Sequence, residues 1–358
     1  VFIDESKKTM QAVEDEVERI RRIDFNKEYS TTKSYWRKYV KEHNGLDLKE
    51  PANSYEEKIQ DIYRRTILLF PLLTNPSTGG VIAAPEVDED LTQCGRYAYC
   101  WTRDASFIVK AIDLLGMQKQ AEKFYNTFCK KTQSKNGMWE QRFYTNGKLA
   151  PCWGYQIDET ASVIYGIYEH YKITKQGKFL KDNLKMCEKA LAFLIKYIKN
   201  LLNIEETDSV KKEIIEKYEN KNSIYKHVSY DLWEMNEGIH LYSLASIYSS
   251  FDSMINIYDC VKDEYKNNRI KLEKIEKTKQ ELEKYNIEIK KFIQNNLYDD
   301  KQKILLRNET DSKTDISMLG VVYPFEVFSA KEKIIENTVE KINMTLRTYT
   351  RRISKVSR

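Results

Sequence analysis

What most constrains this chain is the rhythm of its connections: helix-length segments are joined by loops that alternate between long and short. Apolar residues at helical spacing predict helices near 55–73, 104–115, 118–132, 157–174, 179–202, 238–258, 260–297 and 332–346. In the first of these, Ile59, Ile62, Tyr63, Ile67, Leu68 and Leu69 fall on that spacing. The loops at 85–103, 134–156, 224–237 and 307–324 are long and carry aromatics and acids, whereas those at 116–118 and 175–178 are short. That alternation suits a ring of helical hairpins with one functional face and one plain face. Twelve glycines and six prolines are few for the many turns of an all-β chain. The fold class expected is all-α.

The remaining stretches read as accessories. Residues 3–41 look like a charged helical connector, and Asn75-Pro76-Ser77-Thr78-Gly79-Gly80 is a clear break before a short extended piece, Val81–Pro85. Residues 203–222 read as a polar surface insertion. In 260–297, Ile275, Leu282, Ile289 and Ile293 are spaced too irregularly for a coiled coil, so a long exposed hairpin helix is expected.

Charge and cysteine usage exclude several classes. The 59 basic and 54 acidic residues are interspersed, leaving no basic stripe for nucleic acid. Cysteines at 94, 100, 129, 152, 187 and 260 form no C-x-x-C pair, and four scattered histidines add no metal spacing. No metal or cofactor is expected, and the thiols are read as reduced, in a cytoplasmic setting. No apolar run approaches the roughly 20 residues of a membrane span. The chain opens at Val1 rather than an initiator methionine, so its true start is expected to lie upstream.

Three motifs concentrate the chemistry: Tyr99-Cys100-Trp101-Thr102-Arg103-Asp104, Trp153-Gly154-Tyr155-Gln156-Ile157-Asp158 and Asp231-Leu232-Trp233-Glu234. Each sets an indole beside acids, amides or a guanidinium, just ahead of a helix. Sugars ask for that pairing, because their apolar ring faces stack on aromatics while their hydroxyls take hydrogen bonds from charged groups. Glu234, partly desolvated beside Trp233, is the candidate general acid. Its rival role is a cap on the helix near Gly238, which Glu237 fills better. Arg103 and Asp104 are candidates to clamp adjacent hydroxyls of a terminal sugar; the alternative is a structural ion pair with Asp104 as N-cap. Trp153, Gln156 and Asp158 would add a stacking wall and polar partners, although Asp158 and Glu159 also suit the first turn of a helix. Tyr99, Trp101, Trp233 and Glu237 complete the candidate binding set. His227 and His240 read as structural.

Taken with these residues, the runs GGVIAAPEVDED…YAYCWTRDASF, CWGYQIDETASVIYGIYEHY and DLWEMNEGIHLYS resemble glycoside hydrolase family 15. The bacterial glucoamylase branch, exo-acting α-glucan hydrolases on an (α/α)6 barrel, is the most similar, and the later TDISMLGVVYPFEVFS fits it too. The resemblance spans roughly Tyr55 to Leu346. It implies that Glu234 is the general acid, that Arg103 and Asp104 hold the non-reducing-end glucose, and that Trp101 and Trp153 line the pocket. It also implies an α-glucan or maltooligosaccharide substrate and a single inverting displacement that releases β-D-glucose. Such a displacement needs a second carboxylate, about 6.5–9.5 Å away, to activate water.

The chain also departs from that pattern. The water-activating base is expected beyond Arg358, and about nine or ten helices are counted where a closed ring has two for each of its six hairpins. Residues 1–50 read as the linker from a missing β-sandwich, 51–346 as an incomplete barrel, and 347–358 as a basic tail without a helical stripe. Met235 stands where many members place a second acid, leaving α-1,4, α-1,6 and trehalose linkages open. The competing class is a non-catalytic carbohydrate-binding or regulatory domain on the same barrel. A helical solenoid ranks lower, because the hairpins share no sequence period.

Overall fold

The computed structural model describes residues 10–43, 48–86, 97–152, 154–202 and 229–356, in two compact units that divide between Leu72 and Leu73. The first unit holds α1 (Met10–Arg21), α2 (Phe25–Glu42) and α3 (Ser54–Leu73), which runs to the boundary. Asp24 starts α2 by accepting the N–H groups of Asn26 and Lys27, and Asn53 does the same for Tyr55 and Glu56 of α3. These caps satisfy N–H groups that the first turn of a helix leaves without intrahelical partners. From residue 10 onward, the connector expected over residues 3–41 is therefore two helices, broken at residues 22–24, and residues 3–9 lie outside the described residues.

The second unit is all-α. It contains α4 (Thr102–Leu114), α5 (Gln118–Lys123), a π-helical segment Phe124–Cys129, α6 (Lys130–Thr132), α7 (Ile157–Thr174) and α8 (Gly177–Leu201). Then come α9 (Leu241–Val261), α10 (Arg269–Asn296) and α11 (Lys333–Val356). Two short antiparallel pairs decorate the long connections: β1 (Ser229–Tyr230) with β2 (Glu237–Gly238), and β3 (Tyr298–Asp299) with β4 (Ile304–Leu305).

Helices α4, α7 and α9 pack side by side as an inner layer, while α8 and α10 lie against them from outside. Central α7 is buried on nearly every side, and even Asp158 and Glu159 in its first turn reach no solvent. The close packing at Gly166 requires a glycine, where a Cβ would come within 2.4 Å of the Tyr125 hydroxyl on the π-helical segment and 3.1 Å of Ser106 on α4. On α10, Ile275, Leu282, Ile289 and Ile293 are buried, so this helix is exposed on one side only and packs on α9 with the other.

The short turns behave as expected. Gly116 at φ +80° closes the turn after α4, and Lys175 at φ +56° ends α7. Three boundaries differ. Helix α9 begins at Leu241 rather than 238, because Glu237 and Gly238 pair with β1 instead. Helix α10 begins at Arg269, after a 3-10 turn over Lys262–Tyr265. Helix α11 continues to Val356, through the stretch expected to lack a helical pattern. The insertion expected over 203–222 lies outside the described residues. No described helix is long and apolar enough to cross a membrane.

Candidate active site

The three motifs meet because α4, α7 and α9 are each entered from a long loop, and the starts of α4 and α7 lie beside the Asp231–Glu234 turn that leads to α9. Arg103, the second residue of α4, is where they touch. Its Nη1 lies 3.0 Å from Oδ2 of Asp158 and 3.0 Å from Oε1 of Glu159, both on α7. Its Nη2 lies 3.3 Å from Oδ2 of Asp104 and donates to the Leu232 carbonyl at 3.4 Å. Thus one buried guanidinium joins all three motifs. Burial works against that cation, but Glu159, Asp158 and Asp104 outweigh it and hold the Arg103 pKa well above its ordinary value.

The carboxylates around it differ in exposure. Asp158 and Glu159 have no exposed side-chain surface, whereas Asp104 is 39% exposed, with its Oδ2 buried beside Arg103. Glu159 is pushed up to about 8, first by burial and then by its like-charged neighbours Asp158 and Asp104, against the pull of Arg103. Oδ1 of Asp158 and Oε1 of Gln156 are buried acceptors without a hydrogen-bond partner among the described residues.

Glu234 occupies the other side of the site. Its backbone is left-handed at φ +61°, rare for a residue with a side chain. Asp231 holds that turn: Oδ1 accepts from the N–H of Met235 at 2.8 Å, Oδ2 from the Asn236 amide at 2.8 Å, and the Asp231 carbonyl from the N–H of Glu234 at 3.0 Å. Gln156 ties the turn to α7 through a 2.7 Å bond from Nε2 to the same carbonyl. The Glu234 carboxylate accepts the Trp101 indole N–H at 2.6 Å. Burial raises its pKa, opposed by the Trp101 bond and the Arg142 and Arg103 cations and assisted by Asp104. A half-buried carboxyl raised in this way is suited to proton donation.

Not every candidate residue sits as expected. Trp101 is only 5% exposed, so it is a support for Glu234 rather than an open stacking wall. The Arg142 guanidinium lies 5.5 Å from the Trp101 ring centroid and 4.8 Å from that of Tyr99, while Tyr99 packs edge-on against Trp101. Trp233 is the open indole at 49% exposure, and its N–H donates to both carboxylate oxygens of Asp315 at 2.9 and 3.1 Å. Asp104 is the third residue of α4 and not its cap, which is Trp101. Glu237 lies in β2 opposite Tyr230 and caps no helix, since His240 precedes α9. Trp153, like His227, lies outside the described residues. His240 is buried, with Nε2 3.0 Å from the Ser229 carbonyl.

Sequence reasoning missed the parts played by Glu159, Arg142, Asp231 and Asp315. Asp231 and Asp315 lay within the quoted motifs, and Arg142 within a loop marked for aromatics and acids. No pattern along the chain marks which side chain each one holds.

Known proteins place this geometry in context. The family model for glycosyl hydrolases family 15 matches residues 57–356. An uncharacterized glycosyl hydrolase of Methanocaldococcus jannaschii is 28% identical over 315 residues, covering 86% of this chain and 43% of that protein. The chain therefore spans less than half the length of this curated relative. Among solved structures, a bacterial glucoamylase complexed with acarbose is similar with TM-score 0.67 and 18% identity, covering 95% of this chain and 46% of that one. A wild-type glycosidase gives TM-score 0.58 at 16% identity, covering 80% and 70%. The glucoamylase of Saccharomycopsis fibuligera gives 0.53 at 16%, covering 77% and 58%. At these identities the structural likeness speaks for the fold, the all-α hairpin architecture of the (α/α)6 type.

Proposed function

The chain belongs to glycosyl hydrolase family 15, and on that premise we propose that it is the glucan-binding part of an exo-acting α-glucan hydrolase of the glucoamylase type. Arg103 and Asp104 clamp hydroxyls of the terminal glucose at the non-reducing end, with Gln156 and Asp158 behind them. Trp233 offers the open indole face on which a sugar ring stacks. Glu234 gives its proton to the departing glycosidic oxygen. Water enters from the opposite face under a second carboxylate, inverting the anomeric carbon and releasing β-D-glucose.

The observation that carries this reading is the seat of Glu234. A half-buried carboxyl with a raised pKa, steadied by the Trp101 indole at 2.6 Å, stands on the same turn that Arg103 bonds through Leu232. Acid and clamp are thus joined by a handful of bonds. The carboxylates near Arg103 are already engaged with it, and the second, water-activating carboxylate is not assigned among the described residues.

Proton NMR of the chain with maltotetraose tests the proposal through the anomeric signals. Early β-glucose supports an inverting exo-hydrolase whose base lies within residues 1–358. Binding without glucose supports the clamp and puts the base elsewhere in the enzyme. No binding by the folded chain overturns the proposal. Comparison with Glu234→Gln separates the enzyme from a non-catalytic sugar-binding domain, for which the substitution would change nothing.

A further inference from the structure

Glu159 is a fully buried acid of the site, and its partners come from a different helix. It sits in the first turn of α7 with no solvent exposure. Its Oε2 accepts the Thr102 hydroxyl at 2.9 Å and the backbone N–H of Arg103 at 2.8 Å, the first two residues of α4. Trp101, which precedes them as N-cap, gives that helix no side-chain hydrogen bond. The start of a helix carries N–H groups without intrahelical partners and the positive end of the helix dipole, so a carboxylate is favoured there on both counts. The Thr102 hydroxyl is shared with the Glu159 carbonyl at 2.9 Å, which ties the two first turns together.

A cap alone would stop at the backbone, and Glu159 goes further. Its Oε1 lies 3.0 Å from Nη1 of Arg103, the same nitrogen that Asp158 approaches. We propose that Glu159 is a positioning residue of the sugar site: one carboxylate fixes both the first turn of α4 and the Arg103 guanidinium, and so sets how Arg103 and Asp104 meet a sugar's hydroxyls. This rests on the reading of Arg103 and Asp104 as the sugar clamp. Planar guanidinium recognition depends on orientation, which is why the device acts on angle as well as on charge.

The test is calorimetric titration of maltotetraose into the full chain and into Glu159→Gln at pH 9, where Glu159 carries its charge, with circular dichroism of both. Glutamine keeps an oxygen for Thr102 and the Arg103 N–H but cannot offer a charged oxygen to the guanidinium as well. The expected result is unchanged helix content with affinity weakened about tenfold, one decade of dissociation constant. A purely structural cap would lower the melting temperature and leave the affinity of the folded chain as it was. That outcome overturns the proposal. If Glu159→Gln does not fold, Glu159→Asp decides, because it keeps the charge but falls one methylene short of serving both partners. Wild-type affinity in folded Glu159→Asp overturns the proposal, and weakened affinity supports it. A wild-type chain that binds no maltotetraose removes the sugar-site reading and this inference with it, whereas wild-type binding with unchanged variants removes this inference alone.

Discussion

The indole N–H of Trp101 reaches Oε1 of Glu234 across 2.6 Å, joining two residues 133 positions apart in the chain. One stands at the start of an inner helix; the other sits in left-handed backbone on the loop that leads into a second inner helix. The bond favours the charged carboxylate, while burial favours the protonated form and prevails. The site therefore holds an acid that is both steadied and kept ready to give its proton.

Trp101→Phe would keep the ring and remove the bond. With that opposition to burial gone, the Glu234 pKa is expected to rise further. Because catalysis uses the protonated form, the alkaline limb of the kcat/KM profile should move to higher pH. Loss of steadying should lower the rate at the optimum by up to about a hundredfold. The pH–rate profile checks this, or carbon-13 NMR titration of the Glu234 carboxyl if turnover is too slow. An unmoved titration would show that the indole does not act on the acid.

Asp315 keeps the exposed Trp233 ring at a fixed angle through both of its oxygens, and Arg307 lies 3.6 Å behind it. Asp315→Ala should let the ring turn. The affinity for maltotetraose should then fall about two- to thirteenfold, the worth of one stacking contact of about 0.5–1.5 kcal/mol. Acrylamide quenching of tryptophan fluorescence should increase in parallel. Unchanged affinity despite greater quenching would mean that Trp233 is not a sugar platform.

The packing of the inner layer gives a separate prediction. At Gly166 an added Cβ would stand 2.4 Å from the Tyr125 hydroxyl and 3.1 Å from Ser106. Gly166→Ala should destabilise the second unit by about 1–3 kcal/mol, the usual cost of overpacking a filled core. Urea denaturation followed by circular dichroism measures it. A midpoint at or above that of wild type would show that Tyr125 and Ser106 can move aside for the added methyl without loss.

Much of this architecture was legible because it is local. Helix α7 matches the span read from its apolar pattern, and the segment 118–132 is helical throughout, though a π-turn runs through its middle. What escaped depends on distant partners. The start of α9 is set by Glu237 and Gly238 pairing across to β1, which no helical period reveals. Glu159 looked like a first-turn acid serving its own helix, yet its carboxylate serves the neighbouring one. Trp101 and Trp233 read alike in sequence. Only packing separates the buried support from the open face.

Arg103→Ala offers the most demanding test, because it strips the cation from Asp158 and Glu159 while both stay buried. Removing one partner of a buried ion pair costs about 3–5 kcal/mol, far more than deleting an exposed pair. The loss should depend on pH, with a sign that follows from Glu159. Its folded pKa is raised to about 8 from the ordinary 4.5 of a glutamate, so between those values the folded chain keeps a proton that the unfolded chain releases. Stability from this group is therefore fully present below the unfolded pKa and lost as pH rises through the folded one, by at most about 1.4 kcal/mol per pH unit. At pH 5 Glu159 is protonated and the missing cation matters less. At pH 9 it is charged in wild type beside Arg103, whereas in the variant it must be buried alone or hold its proton. The gap between wild-type and variant urea midpoints should thus be wider at pH 9 than at pH 5. An equal gap at both would mean that Glu159 does not titrate in this range and that Arg103 stabilises the fold by packing rather than by charge.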